Sequence, residues 1–173
     1  MNGSATVVRS GCMAKDADMI LSEFILLGNG GKELSEENAA QTAKALNIIQ
    51  PDFIRVHATG IKLESKLGEF VRDGSFTLQS EEEIVIEQKL FLQQLHEMDS
   101  YYVNEHIVNL LLEIRGNLRT EKQEMLSTID RFLTLPPDER LLFTVGRRLN
   151  IFFRLDDLKK PKLHQKAGES LQQ

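Results

Sequence analysis

A few groups of residues in this sequence have types and spacing that could do chemistry. Gly28-Asn29-Gly30-Gly31 follows an apolar run directly, and glycines at the C-terminal end of a buried parallel strand let a ligand approach main-chain amides closely. A lone glycine motif is weakly specific, so a plain strand-to-helix turn is the competing reading. His57 ends a second run of β-formers, on the rim where a barrel would hold an acid or base, and a hydrogen-bonded structural histidine is its bland alternative. Tyr101, Tyr102, Asn104 and His106 form the densest polar-aromatic cluster, of a kind that packs interfaces between layers. His96 and His106 belong to different elements and have no third ligand at metal spacing. Arg147 and Arg148 suit a helix C-terminus without any ligand, and Cys12 lies in a polar, glycine-flanked stretch with no sign of activation. No set of nucleophile, base and orienter can be named, which ranks a small conventional enzyme last.

The elements that must position these residues read as an α/β unit followed by helices. Ile20 to Leu27 is the most continuous apolar run and contains one charge, Glu23, so it predicts a buried strand that stops at the glycines. Ser35 is the expected N-cap of the next helix, with Leu34 and Ala39 as a hydrophobic staple and Ala39, Ala43, Leu46 and Ile49 on one face. Pro51 stops that helix near Gln50, and Phe53 to Thr59 follows as a second strand. Together they make a right-handed βαβ crossover.

Gly60 then leads to a short helix from Glu64 to Arg72, with an apolar face of Leu63, Leu67, Phe70 and Val71 and Gly74 as its stop. Ser80 and Glu83 form a capping box for a helix whose stripe is Ile84, Phe91, Leu95 and Met98, widened by Ile86 and Leu90, ending near Asp99. Ser100 to Val103 reads as a short strand or turn, after which Val103, Ile107, Leu110, Leu111 and Ile114 have helical spacing up to Gly116. Thr120 and Gln123 suggest a second capping box, Met125, Ile129, Phe132 and Leu133 continue the pattern to Pro136-Pro137, and Asp138 to Leu149 makes a last helix. The expected division is a weakly ordered lead-in at 1–17, a partial α/β layer at 18–98, a helical extension at 99–158 and a disordered tail at 159–173. The tail is inferred from its few isolated leucines, too little apolar surface to offset ordering entropy.

The chain has 173 residues, 41% of them hydrophobic and 27% charged, enough for one globular core. Its net charge of -5 and the lack of a clustered basic face argue against a nucleic-acid partner. One cysteine excludes an internal disulfide, and no run is apolar for long enough to span a bilayer, so the expectation is a cytoplasmic protein without a membrane partner.

The run Leu21-Ser22-Glu23-Phe24-Ile25-Leu26-Leu27-Gly28-Asn29-Gly30-Gly31-Lys32-Glu33-Leu34 resembles the later part of radical S-adenosylmethionine (radical SAM) proteins. Pro51 to Val56, Asp99 to Ile107 and Pro136 to Arg140 look like successive landmarks of a subgroup with a helical C-terminal extension, so the resemblance covers roughly Met19 to Leu158. It implies the last strands of a six-stranded partial (β/α) barrel, with Gly28, Asn29, Gly30 and Gly31 on the adenosine side of a bound S-adenosylmethionine and His57 on the substrate side. It also implies a [4Fe-4S] cluster held by three cysteines, usually spaced C-x3-C-x2-C, which one cysteine cannot supply. Where relatives commonly carry a Pro-Gly-Thr-Pro turn, this chain has Ala58-Thr59-Gly60-Ile61-Lys62-Leu63. The expectation is therefore a C-terminal part of a radical SAM protein that holds no cofactor by itself and is catalytically silent alone. It would be completed by a missing N-terminal half or by homo-oligomerisation. The alternative is a stand-alone interaction module that binds a partner protein through its helical half.

Overall fold

The computed structural model describes residues 3–62 and 64–171. Its centre is a four-stranded sheet in the order β1 (Ser22–Leu27), β2 (Phe53–Ala58), β3 (Tyr101–Val103), β4 (Arg115–Asn117). β1, β2 and β3 are parallel and β4 returns antiparallel. Phe24 lies opposite Arg55 and Leu26 opposite His57, while Arg55 in turn lies opposite Val103.

The expected βαβ unit is present. α2 (Ser35–Ile49) connects β1 to β2 and buries Ala39, Ala43, Leu46 and Ile49. It ends at Gln50 in the left-handed conformation, one residue before Pro51. Ser35 is not the cap, however: it is the first helical residue, and its hydroxyl is committed elsewhere. α4 (Glu81–Gln94) begins with the Ser80/Glu83 capping box, with Ser80 accepting from the Glu83 amide and Glu83 accepting from that of Ser80. Of the expected stripe Phe91, Leu95 and Met98 are buried and Ile84 and Leu90 pack against the core, while Ile86 is exposed; Val85, Glu87, Gln88 and Leu92 complete the buried face. Two of these are polar and find buried partners, Gln88 on the Tyr102 hydroxyl at 2.9 Å and Glu87 at the glycine loop.

The two ends of the chain differ from the sequence expectation. Residues read as a weakly ordered lead-in form α1 (Gly3–Asp16), which packs on α2 with Gly11 against Ile49 and is pinned by Lys15 to Asp52 at 2.7 Å. Residues read as a disordered tail form α7 (Pro161–Leu171) after a 3-10 turn at Leu155–Lys159. The sparse leucines suffice because they lie on one face, where Leu163 and the fully buried Ala167 meet the core formed by α6 (Pro137–Arg148).

The stretch from 104 to 114 is not the expected helix. Asn104 and Asn109 are buried and spend their side chains on the backbone: Asn109 donates to Val56 O at 2.7 Å and accepts from the Ala58 amide at 2.8 Å, and Asn104 donates to Leu111 O at 2.6 Å. Asparagine competes with helical bonding in this way. Asn109 thus extends the pairing of β2 past the point where β3 ends. Leu110, Leu111 and Ile114 are buried as their apolar character requires, from an irregular backbone. α5 (Leu118–Leu133) starts earlier than the Thr120 box, because Asn117 caps it by accepting from the Arg119 amide. The short helix α3 (Lys66–Arg72) is capped by Ser65 and carries Gly74 beyond its end with φ +80°, yet only Gly68 is buried and Phe70 is exposed.

Among the described residues, one face of the sheet is covered and the other is not. Ile25, Leu27, Ile54, Val56 and Tyr102 point into the core under α2 and α4. The opposite face presents Phe24, Leu26 and Tyr101 to solvent, with Phe53, Arg55 and His57 partly exposed. α1 packs on α2, and beyond β1 there is no strand among the described residues.

Candidate functional site

The glycine loop and the open sheet face meet at the C-terminal ends of β1 and β2, where ligands bind in parallel α/β sheets. Gly28 and Gly31 both adopt positive φ, +79° and +64°. A Cβ on Gly31 would lie 2.9 Å from Thr77 O, so glycine is required there by both conformation and space.

The loop is closed from within by a residue that the sequence reading passed over. Glu87, fully buried, reaches from α4 and accepts from the Gly28 backbone amide at 3.2 Å, the Ser35 hydroxyl at 3.1 Å and the Asn38 side-chain amide at 2.7 Å. Its carboxylate occupies the N-terminal end of α2, where partial positive charge and spare donors favour an anion. The amides of Gly31, Lys32 and Leu34 are also engaged inside the chain, on Gly28 O, Thr77 O and Gly30 O. Asn29 is the loop residue left exposed and Gly30 is partly so. Glu87 was legible only as the polar residue breaking an apolar stripe.

His57 stands at the end of β2 as expected, and the structure brings His106 to it. Their rings stack at 4.1 Å with 13° between planes, and Phe24 meets His57 edge-on at 5.3 Å. Burial, then His106, then Arg55 hold the His57 imidazole below its ordinary range. Arg55, Val56, His57, Val103, Glu105 and His106 line a cavity of 200 Å³ on the open face. The rest of the aromatic cluster divides: Tyr102 is buried in the core, where desolvation pushes its phenol up, and Asn104 serves the backbone. His96 lies elsewhere, with its backbone amide bonded to Asn47.

No family model, curated protein or solved structure matches this chain. Its residues do not fit a [4Fe-4S] cluster: the one thiol, Cys12, is on α1, and a cluster of that kind needs three thiolates.

Arg147 and Arg148 do more than complement a helix dipole. Arg147 is 1% exposed and donates to Ile107 O at 3.2 Å, while Arg148 donates to Val108 O and pairs with Glu81, so α6 is fastened to the irregular stretch and to α4. A larger cavity of 550 Å³ between β4, α5 and the 3-10 turn is lined by charges that already serve one another, Arg115 with Glu105 and Arg131 with Asp156. Among the described residues no group of three His, Cys, Asp or Glu is placed to hold a metal, and no helix is long and apolar enough to cross a membrane.

Proposed function

We propose that this chain is the C-terminal wall of a (β/α) barrel of radical SAM type, completed along β1 by the strands of another polypeptide segment. The observation that carries the reading is the half-covered sheet: parallel strands need cover on both faces, and here, among the described residues, one face is bare and the β1 edge is unpaired. In a closed barrel that bare face becomes the inner wall. Phe24, Leu26, Arg55 and His57 then line the reaction cavity, and the loop from Gly28 to Gly31 lies at its rim. Asn29 and Gly30 are the loop positions open to an adenosine edge.

A radical SAM enzyme uses its cluster and S-adenosylmethionine for radical chemistry; both belong to the absent half in this reading, and the chain alone is silent. The module alternative is disfavoured by the helical half, whose Phe132, Phe143 and Phe152 are buried against one another.

Phe24→Pro tests the reading. Strand alternation places the Leu21 and Leu27 carbonyls toward β2, where they accept from Phe53 and Thr59, so the Phe24 amide faces the free edge. Proline is tolerated at such a position, and it blocks pairing. The product of the reading frame upstream should bind the wild-type chain and lose the Phe24→Pro variant. Equal binding of both, or a product without the cysteine motif, would refute the reading.

A further inference from the structure

The open face carries a cationic group with no carboxylate to answer it. Arg55 lies between two aromatic rings, its guanidinium 6.0 Å from the Phe24 centroid and 5.9 Å from that of Phe53, and its Nε donates to Ser22 Oγ at 3.1 Å. Among the described residues no Asp or Glu pairs with it. Glu105, the one carboxylate lining the same cavity, is taken by Arg115. A guanidinium held by two rings and one hydroxyl is pre-organised, and its fork matches a two-oxygen anion.

Beside it stand the two histidines. The His106 Nδ1 is buried without a hydrogen-bond partner, which a native site leaves only for a reason. The cavity of 200 Å³ suits one small charged group rather than a whole cofactor. We propose that Arg55, His57 and His106 form a binding site for a single oxyanion, the carboxylate or phosphate of a small-molecule ligand. The inference rests on the open face being the inner wall of a barrel, and it names the chemical group by which the substrate is held there. An anion in this position also answers the repulsion from His106 and Arg55 that adds to burial in lowering the His57 imidazole.

The chain alone suffices for the test, because every residue invoked is its own. Imidazole signals of His57 and His106 are followed by NMR while inorganic phosphate or acetate replaces chloride at constant ionic strength. Both histidines should shift along a saturating curve, and the His57 titration midpoint should rise by about one unit. Saturation by phosphate alone or by acetate alone identifies the anion. Arg55→Gln should abolish the response, whereas Arg55→Lys should retain a weaker one, with the charge kept and the fork lost. No saturation with either anion, or an unchanged response in Arg55→Gln, would overturn the proposal. If Arg55→Gln does not fold, the wild-type Arg55 guanidinium signal decides: it must move with the anion, and a stationary signal overturns the proposal. Anion binding is read on the wild-type chain and its Arg55 variants, and pairing at β1 on the Phe24→Pro variant, so the two failures are distinguishable.

Discussion

Replacing Glu87 should be among the most costly single changes in this protein, although in the sequence it is only a polar residue that breaks an apolar stripe. The carboxylate is 0% exposed and serves three donors: the Gly28 amide, the Ser35 hydroxyl and the Asn38 amide. Glu87→Leu keeps the volume roughly and removes the acceptor. Ser35 retains its bond from Gln79, and Asn38 keeps a second donation to Leu26 O at 3.2 Å. The buried Gly28 amide, the Ser35 hydroxyl hydrogen and one Asn38 hydrogen lose their acceptor, and at about 1–3 kcal/mol for the buried amide and less for each of the two part-buried groups the loss should be about 3–5 kcal/mol. Glu87→Gln keeps one oxygen but turns an amide group toward donors, at about 1–2 kcal/mol. Equilibrium urea unfolding measures both. A Glu87→Leu loss below about 1 kcal/mol, or a glutamine variant less stable than the leucine variant, would refute the view that donor satisfaction holds the loop.

The remaining predictions concern the core, the chain ends and pH. Phe91→Ala and Ile129→Ala, both at fully buried positions, should each cost about 2–5 kcal/mol in the same unfolding assay. Gly168→Ala in α7 meets open space and should stabilise by about 0.5–1 kcal/mol, whereas Gly146→Ala would place a Cβ 2.3 Å from the Phe152 ring and should destabilise; a neutral Gly168→Ala would mean that α7 is not a formed helix. His57 has a depressed folded pKa, so the unfolded chain takes its proton first and stability falls as pH drops through about 6.5 toward the folded value. His57→Gln should flatten that part of the stability-pH curve, and an unchanged slope would contradict the assignment.

What was legible in the sequence was whatever depended on local pattern. The βαβ unit followed from an apolar run, glycines and Pro51, and the capping box at Ser80 stands as read because both of its bonds lie within four residues. What was not legible depended on side chains satisfied at a distance. Asn109 replaces a strand neighbour for β2 across 53 positions, which no helical period discloses, and it turns an expected helix into an irregular segment. The role of Glu87 is hidden for the same reason, since Gly28, its partner, lies 59 positions earlier. For the site, His57 was placed at the correct strand end, but its stacking on His106 and the cavity it shares with Arg55 depend on how the sheet brings β2 and the irregular stretch together. The helices at both ends were missed because composition undervalues a narrow apolar face such as that of Leu163 and Ala167.

Amide hydrogen exchange along β1, followed over a wide range of protein concentration, tests the incomplete sheet most directly. Phe24 faces the free edge and Ile25 and Leu27 face β2. The account predicts slow exchange at Ile25 and Leu27 throughout. At Phe24 it predicts fast exchange in the dilute chain, slowing as the chain associates or as the completing segment is added. A chain that stays monomeric at every concentration with the Phe24 amide as protected as that of Ile25 would contradict it.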